Sequence, residues 1–275
     1  MAANVLEVSH LHIWDSHTGR TIVPDSSFQV KEGGCLAIVG ESGSGKSVTC
    51  RAVMRLNKNG VRHSGDVLFK GVNLGELPEK EMRKWRGKRL CMIMQNGMRA
   101  FDPSRVIGAQ CRETLAQHYD WSRSDIEAAV IGAMERVMLK EPASIMNKHP
   151  HQLSGGMLQR VMIALAIALE PDLIIADEPT TALDAISQYE VVEQLLRLRE
   201  DLGCSMIFVS HDLGVVRKVA DEVMVMKDGE IVEKGTSEAI FSEARHPYTR
   251  YLVGSKQALS RHFNRIMGGE AVAHR

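Results

Sequence analysis

Gly40-Glu41-Ser42-Gly43-Ser44-Gly45-Lys46-Ser47 has the residue types and spacing of a phosphate loop. Its glycines let successive backbone N–H groups curl round phosphate oxygens, and a helix starting there aims its positive end at the same point. The pattern predicts that Lys46 reaches the β- and γ-phosphates of a nucleotide and that Ser47 ligates Mg²⁺. From average residue frequencies it arises by chance in roughly one chain of this size in a hundred; a glycine-rich turn is the plain alternative. Asp177-Glu178 closes the apolar run Leu173-Ile174-Ile175-Ala176. Two carboxylates therefore fall at the carboxyl edge of a buried strand, where open parallel sheets bind ligands. Asp177 suits Mg²⁺, directly or through water, and Glu178 suits a hydrogen bond from an attacking water. An Asp-Glu pair after a strand is also a common turn, and the phosphate loop upstream favours the metal reading.

Three further signals are open to two readings each. Ser154-Gly155-Gly156 opens an apolar helix and is either a second anion site built on the helix end or a plain cap. His211 follows a strand ending at Ser210 and could donate to a γ-phosphate, or be a packed or solvated histidine. Gln95, after the strand ending at Met94, is ambiguous in the same way.

The elements that must hold these residues can be read from apolar periodicity. Leu36-Ala37-Ile38-Val39 is a short buried strand, and a helix should follow from about Lys46 with Val48, Ala52, Val53 and Leu56 turned inward. Residues 6–13 alternate imperfectly as a first strand, which Phe28-Gln29-Val30 continues, and Gly65 to Phe69 and Cys91 to Met94 read as further strands. From Gly108 to Met146 the chain looks mostly helical, with Ser124-Asp125 as a cap before Ile126. Met157 to Leu169 is apolar nearly all round, hence a buried helix. Leu173 to Ala176 and Met206 to Val209 have parallel-sheet character, with an amphipathic helix, Ile186 to Arg199, between them. Strands and helices alternate at both ends round a helical middle, which is an α/β core holding a helical subdomain.

Composition removes several function classes. Lys plus Arg and Asp plus Glu both total 34, so there is no net charge for broad capture of nucleic acid or anionic lipid. Arg83, Lys84, Arg86, Lys88 and Arg89 crowd together but with one aromatic, Trp85; this is a solvated face rather than a nucleic-acid patch. The longest apolar run, Val161 to Leu169, is nine residues, against roughly twenty for a spanning helix. The first residues show neither a basic start nor an apolar stretch of signal-peptide length, so a cytoplasmic protein is expected. Five scattered cysteines suit neither a disulfide framework nor a zinc site and are expected to be reduced and packed. With 15 Met and only 5% aromatics, thioethers should fill much of the core.

Taken in order, the phosphate loop, Gln95, Leu153-Ser154-Gly155-Gly156-Met157, Asp177-Glu178, Thr181-Ala182-Leu183-Asp184 and His211 resemble the nucleotide-binding subunit of ATP-binding-cassette transporters over essentially the whole chain. Met157 departs from the Gln usual in that family, but the Ser and both glycines that face phosphate are kept, so little effect on hydrolysis is expected. The resemblance implies an α/β fold: a P-loop NTPase core with a parallel-sheet ATPase subdomain, an N-terminal antiparallel β subdomain and an inserted helical subdomain. Along the chain it implies the β subdomain and phosphate-loop part of the core in 1–94, the segment headed by Gln95 and the helical subdomain in 95–155, the rest of the core in 156–238, and a C-terminal extension in 239–275.

ATP and Mg²⁺ are the implied cofactors. Two subunits would bind head to tail around two ATP molecules. One nucleotide would be served by Lys46, Ser47, Gln95, Asp177, Glu178 and His211, with Glu178, His211 and Gln95 catalytic and Ser47, Gln95 and Asp177 round the metal. Ser154, Gly155 and Gly156 would contact the γ-phosphate held by the partner subunit, and Asp184 would sit in the dimer-contact loop. Gln95 would also head the segment that meets the membrane subunits. Trp14 is the candidate for stacking on adenine, against a surface Trp with no ligand.

Two further segments, Arg99-Ala100-Phe101-Asp102-Pro103 and Arg245-His246-Pro247-Tyr248-Thr249-Arg250-Tyr251-Leu252, resemble the dipeptide, oligopeptide and nickel importer branch. Leu153 to Arg160 together with Ala100 to Pro103 look most like the nickel and nickel-metallophore importers. The function implied is ATP hydrolysis coupled to uptake of nickel, free or chelated, with dipeptide or oligopeptide import as the alternative. Implied partners are a second, related ATPase subunit in a heterodimer, two transmembrane permease subunits and an extracytoplasmic substrate-binding protein, with no nucleic acid. The implied location is the cytoplasmic face of the inner membrane. No cysteine follows Cys204, so no iron–sulfur cluster is expected. No residue can be assigned to nickel itself, since His149-Pro150-His151 lacks further ligands nearby. A soluble cassette ATPase acting on nucleic acid or the ribosome is disfavoured by the single cassette, the absence of a heptad run and the zero charge. A cassette that binds ATP without turnover is disfavoured by Glu178. The tail, Gly268 to Arg275, is expected to be disordered.

Overall fold

The computed structural model describes residues 3–95, 97–181 and 184–254. In β1 (Asn4–Asp15) Leu6 and Val8 are buried in the first half, with Val5 beside them, and Leu11 and Ile13 in the second, so the alternating buried face changes parity midway. The cause is a bulge: His10 has φ 50, and the register against β5 (Val61–Phe69) shifts between Ser9 and His12. An inserted residue moves every later side chain to the other parity, which is why the alternation looks imperfect in the sequence. β2 (Thr21–Val23), β3 (Phe28–Lys31) and β6 (Val72–Asn73) complete this antiparallel sheet, ordered β2-β1-β5-β6 with β3 also paired to β1.

The second sheet is built from β4 (Cys35–Val39), β7 (Leu90–Ile93), β8 (Leu173–Asp177), β9 (Ser205–Val209) and β10 (Glu222–Lys227), all parallel, with β11 (Glu230–Thr236) antiparallel at one edge. Its order is β11-β10-β4-β9-β8-β7. Every residue of β4, β8 and β9 is buried, and alternate residues serve two different cores. Ala37, Ile174 and Phe208 pack on the helical side, while Leu36, Ile175 and Ile207 pack under the antiparallel sheet with Leu6, Ile13 and Phe69. A sheet covered on both faces needs no polar face, hence the continuous apolar runs.

Helix α1 (Lys46–Val53) follows β4, and α2 (Glu79–Trp85) precedes β7. Between β7 and β8 lie α3 (Gly97–Ala100), α4 (Ile107–Ala116), α5 (Arg123–Arg136), α6 (Pro142–Met146) and α7 (Gly155–Leu169). Then come α8 (Ala185–Leu202), α9 (Leu213–Val219) and α10 (Ser237–Ser242). α7 buries Leu158, Val161, Ile163, Ala166 and Leu169 among others, on most of its circumference. No helix of the described residues is long and apolar enough to cross a membrane.

Leu56, expected to turn inward on the helix from Lys46, lies beyond the end of α1 and is exposed; four further details differ from the sequence expectations. Helix α5 is capped by Ser122, whose hydroxyl accepts the Asp125 N–H at 3.2 Å, rather than at Ser124-Asp125. The strand expected over Cys91 to Met94 runs Leu90–Ile93. The charged run includes a helix, α2, and Glu79 and Glu81 in the same run neutralise Arg86 at 2.6 Å and Lys84 at 2.8 Å. The β10–β11 hairpin was not expected, although its Asp228-Gly229 tip, with φ 50 and 87, is a strong two-residue turn signal. The five cysteines are free, and Cys35, Cys50, Cys111 and Cys204 are buried. The tail Gly268 to Arg275 lies outside the described residues.

Candidate nucleotide site

The β4–α1 junction forms the phosphate loop. Gly40, at φ 154, lies so close to the β10 backbone that a Cβ there would sit 2.1 Å from the Met226 carbonyl oxygen; only glycine fits. The tip of the β10–β11 hairpin supports the loop from behind, with the Gly229 N–H donating to the Ser44 carbonyl at 3.2 Å. Lys46, the first residue of α1, is buried and donates to the Gly40 and Glu41 carbonyls at 2.9 and 2.8 Å. Burial pulls its ammonium pKa down, against the nearby Glu178 and Asp177 carboxylates.

Strand order brings the distant residues in. β9 separates β4 from β8 in the sheet, yet Asp177 at the end of β8 accepts from the Ser47 hydroxyl at 2.7 Å. Arg51, one turn beyond Ser47 on α1, places Nη2 3.6 Å from the other Asp177 oxygen. Asp177 is 3% exposed, and burial pushes its carboxyl pKa up despite the Ser47 hydrogen bond and Arg51. The pair Ser47 and Asp177 is a hard, all-oxygen donor set of the kind that suits Mg²⁺.

Glu178 is the hub of the remaining groups. Its Oε2 accepts from Gln95 Nε2 at 3.0 Å and from the Thr181 hydroxyl at 2.9 Å, and His211 Nδ1 lies 3.6 Å away. The Glu178 backbone is left-handed, with φ 47, and its N–H donates to the Val209 carbonyl at 3.0 Å. A non-glycine residue in this conformation costs roughly 1–2 kcal/mol, and such strain gathers at functional turns. Chemically, the cluster offers a carboxylate to accept from a water, a neutral amide and an imidazole beside it, and a cation with backbone N–H groups to hold phosphates.

Lys46, Ser47, Gln95, Asp177, Glu178 and His211 therefore converge, with the loop from Gly40 to Gly45 beside them. Ser154, Gly155 and Gly156 stand at the head of α7, where the Ser154 hydroxyl accepts the Met157 N–H at 3.2 Å. Ser154 and Gly156 line a separate hollow with Met138, Lys140 and Arg160. Asp184 caps α8, accepting from the Ile186 and Ser187 N–H groups at 3.1 and 3.0 Å; those backbone hydrogen bonds, Ser187 first, lower its pKa. Trp14 stacks on His12 with ring centroids 5.2 Å apart and pairs with Thr21 of β2. The Val23 side chain of β2 in turn packs against Gly45.

Sequence reasoning missed Arg51, Thr181 as a partner of Glu178, and Tyr248, whose hydroxyl accepts the Glu41 N–H at 3.0 Å. Arg51 carried a local signal, since residues four apart share a helix face. Tyr248 carried none, because 207 positions separate it from Glu41.

Residues 23–181 match the ABC transporter family. The ATP-binding protein CntD of the metal-staphylopine import system of Staphylococcus aureus is 46% identical over 97% of this chain and 98% of its own. The dipeptide transport ATP-binding protein DppD of Lactococcus lactis is 43% identical over 96% of this chain and 76% of its own. Among solved structures, a dimeric post-hydrolysis state of the ATP-binding cassette MJ0796 bound to ADP and Pi superposes with TM-score 0.75 and 26% identity, covering 84% of this chain and 98% of that one. The chain belongs to the ABC transporter family, as an ATP-hydrolysing subunit of the branch that contains those import proteins.

Proposed function

We propose that this chain couples ATP hydrolysis to import of nickel or a related metal, carried as a small chelate or free. The observation that carries the cargo is the 46% identity, over nearly full length, to a metal-staphylopine import protein. The Glu178 cluster supports the chemistry. The backbone N–H groups of Gly43, Ser44 and Gly45 hold phosphate oxygens, and Lys46, kept on its seat at the Gly40 carbonyl, turns its remaining N–H donors to the β- and γ-phosphates. Ser47 and Asp177, with Gln95, would hold Mg²⁺, which would supply neutralisation of the phosphate charge.

Glu178 accepts the hydrogen bond of the attacking water and so orients it in line with the γ-phosphorus. Gln95 and Thr181 keep that carboxylate from turning away. His211, beside Glu178, donates to the γ-phosphate. Ser154, Gly155 and Gly156 serve the nucleotide of a second, related ATPase subunit, and Asp184 sits at the contact between the two. Closure then depends on ATP and opening on its hydrolysis, which is how chemistry becomes motion. Trp14 stacks on the adenine. The chain works on the cytoplasmic face of the membrane beside two permease subunits, with a substrate-binding protein on the far side. Residues 1–94 with 156–238 form the ATPase core and its β subdomain, 95–155 the helical insertion that meets the permeases, and 239–275 the extension.

Peptide import is the second reading, favoured by the 43% identity to a dipeptide transport protein. Radiolabelled nickel uptake, with excess peptide as competitor, separates the two. Cells whose sole copy carries Lys46→Ala should lose uptake, and peptide should not compete in normal cells. Unchanged nickel uptake in the variant would transfer the assignment to peptides.

A further inference from the structure

The segment after α10 returns to the phosphate loop. The Glu233 carboxylate on β11 accepts the backbone N–H groups of Arg245 at 2.7 Å and His246 at 3.0 Å. His246 Nδ1 accepts the N–H of Tyr248 at 3.2 Å, which tethers the start of the helical residues 247–254. Tyr248 is buried there, with Lys227 Nζ 5.2 Å from its ring centroid. Its hydroxyl accepts the Glu41 N–H at 3.0 Å.

That N–H belongs to the same rigid peptide plane as the Gly40 carbonyl, and the Gly40 carbonyl accepts Lys46 Nζ at 2.9 Å. One peptide unit of the phosphate loop is therefore held from both ends. Tyr248 takes its N–H and Lys46 takes its C=O. The first hydrogen bond polarises the plane and strengthens the second. Rotation of this peptide would carry the Gly40 carbonyl away from Lys46, and the Tyr248 hydroxyl opposes it. One turn further on, Leu252 lines a hollow of about 270 Å³ with Gly40, Glu41, Ser42 and His211. The same short helix thus faces both the loop and the imidazole assigned to the γ-phosphate.

We propose that Tyr248 is a positioning residue for ATP: by holding the Glu41 N–H it fixes the Gly40–Glu41 peptide and the seat of Lys46, so the C-terminal segment sets the loop's affinity for nucleotide. The inference rests on the reading of Lys46 as a phosphate ligand. Tyr248→Phe keeps the ring and removes only the hydroxyl. In the assembled transporter KM for ATP should rise roughly five- to tenfold, the worth of one buried hydrogen bond, with kcat changed by less than about twofold. The affinity of the full chain for MgATP, by calorimetric titration, should fall by the same factor.

Glu233→Ala, which frees the tether, should shift KM in the same direction. Tyr251→Phe, at an exposed neighbour, should leave it alone. A lower melting temperature for Tyr248→Phe with unchanged KM and unchanged affinity would reduce Tyr248 to a packing residue and overturn the proposal. Lys46→Ala separates the two levels. If it loses MgATP binding while Tyr248→Phe binds normally, only the positioning role fails. If Lys46→Ala still binds MgATP with wild-type affinity, the reading of the loop fails with it.

Discussion

Asp177 and Lys46 are both held charged-side inward at a cost. Burial raises the Asp177 pKa above 3.8, so the native chain keeps that proton better than the unfolded chain does. Stability then falls as pH climbs from 3.8 through the raised native value, and at neutral pH the whole penalty is present. Asp177→Asn keeps an acceptor for the Ser47 hydroxyl and removes the buried charge. Its melting temperature at neutral pH should exceed that of the natural chain, and the gain should vanish as the pH falls toward the carboxylate range. ATP turnover should be lost in the same variant, because the carboxylate proposed for Mg²⁺ is gone. Equal melting temperatures at neutral pH would mean that Arg51 and Ser47 fully offset the burial. The types of Lys46, Ser47, Asp177 and Glu178 were legible in the sequence, since each sits in a contiguous motif with a local backbone logic. The Arg51 ion pair and the Thr181 hydrogen bond were not, because which side chain turns toward which carboxylate is a packing outcome.

Helix starts show how one local device serves two purposes. Ser122 caps α5 and Ser154 caps α7 with the same hydroxyl-to-backbone geometry, each accepting at 3.2 Å. Replacing either by alanine should cost about 1 kcal/mol in urea unfolding, the usual value of an N-cap. Ser122→Ala should leave ATP hydrolysis untouched. Ser154→Ala should also lower it by at least about tenfold, because the proposed partner nucleotide loses a hydrogen-bond donor. Full activity in both variants would leave Ser154 a plain cap. Most elements were readable: β4, β8 and β9 as apolar runs, α7 as a helix without a polar face. The two-residue error at the start of α5 came from choosing Ser124-Asp125 when Ser122, three residues before Asp125, makes the reciprocal cap. The parity change in β1 was visible only as a flaw in the alternation, since a bulge is defined by a partner strand that the sequence does not name.

At the scale of the molecule, Ser154 to Gly156 and the phosphate loop belong to different parts of one chain, the first at the head of α7 and the second between β4 and α1. On the proposed mechanism the first completes the nucleotide site of a second subunit, while the phosphate loop's own site is completed by that subunit. Glu178→Gln should bind ATP normally, slow its hydrolysis by about 10²–10⁴-fold, and hold the two ATPase subunits closed. The check is the ATP retained by the assembled transporter after rapid desalting; release at the wild-type rate would remove Glu178 from its role. The sequence alone determined the phosphate loop, the carboxylates at a strand end, the α/β class and the family, because each rests on consecutive residues whose backbone conformations and apolar periodicity are local properties. Only the tertiary structure decided who meets whom. Ser47 bonds a residue 130 positions away, Gln95 one 83 away, and Glu41 one 207 away. Those meetings depend on β9 lying between β4 and β8 and on β10 backing the loop. Strand order is settled by burying both faces of the sheet at once, and that condition acts on the whole chain rather than on any window of it.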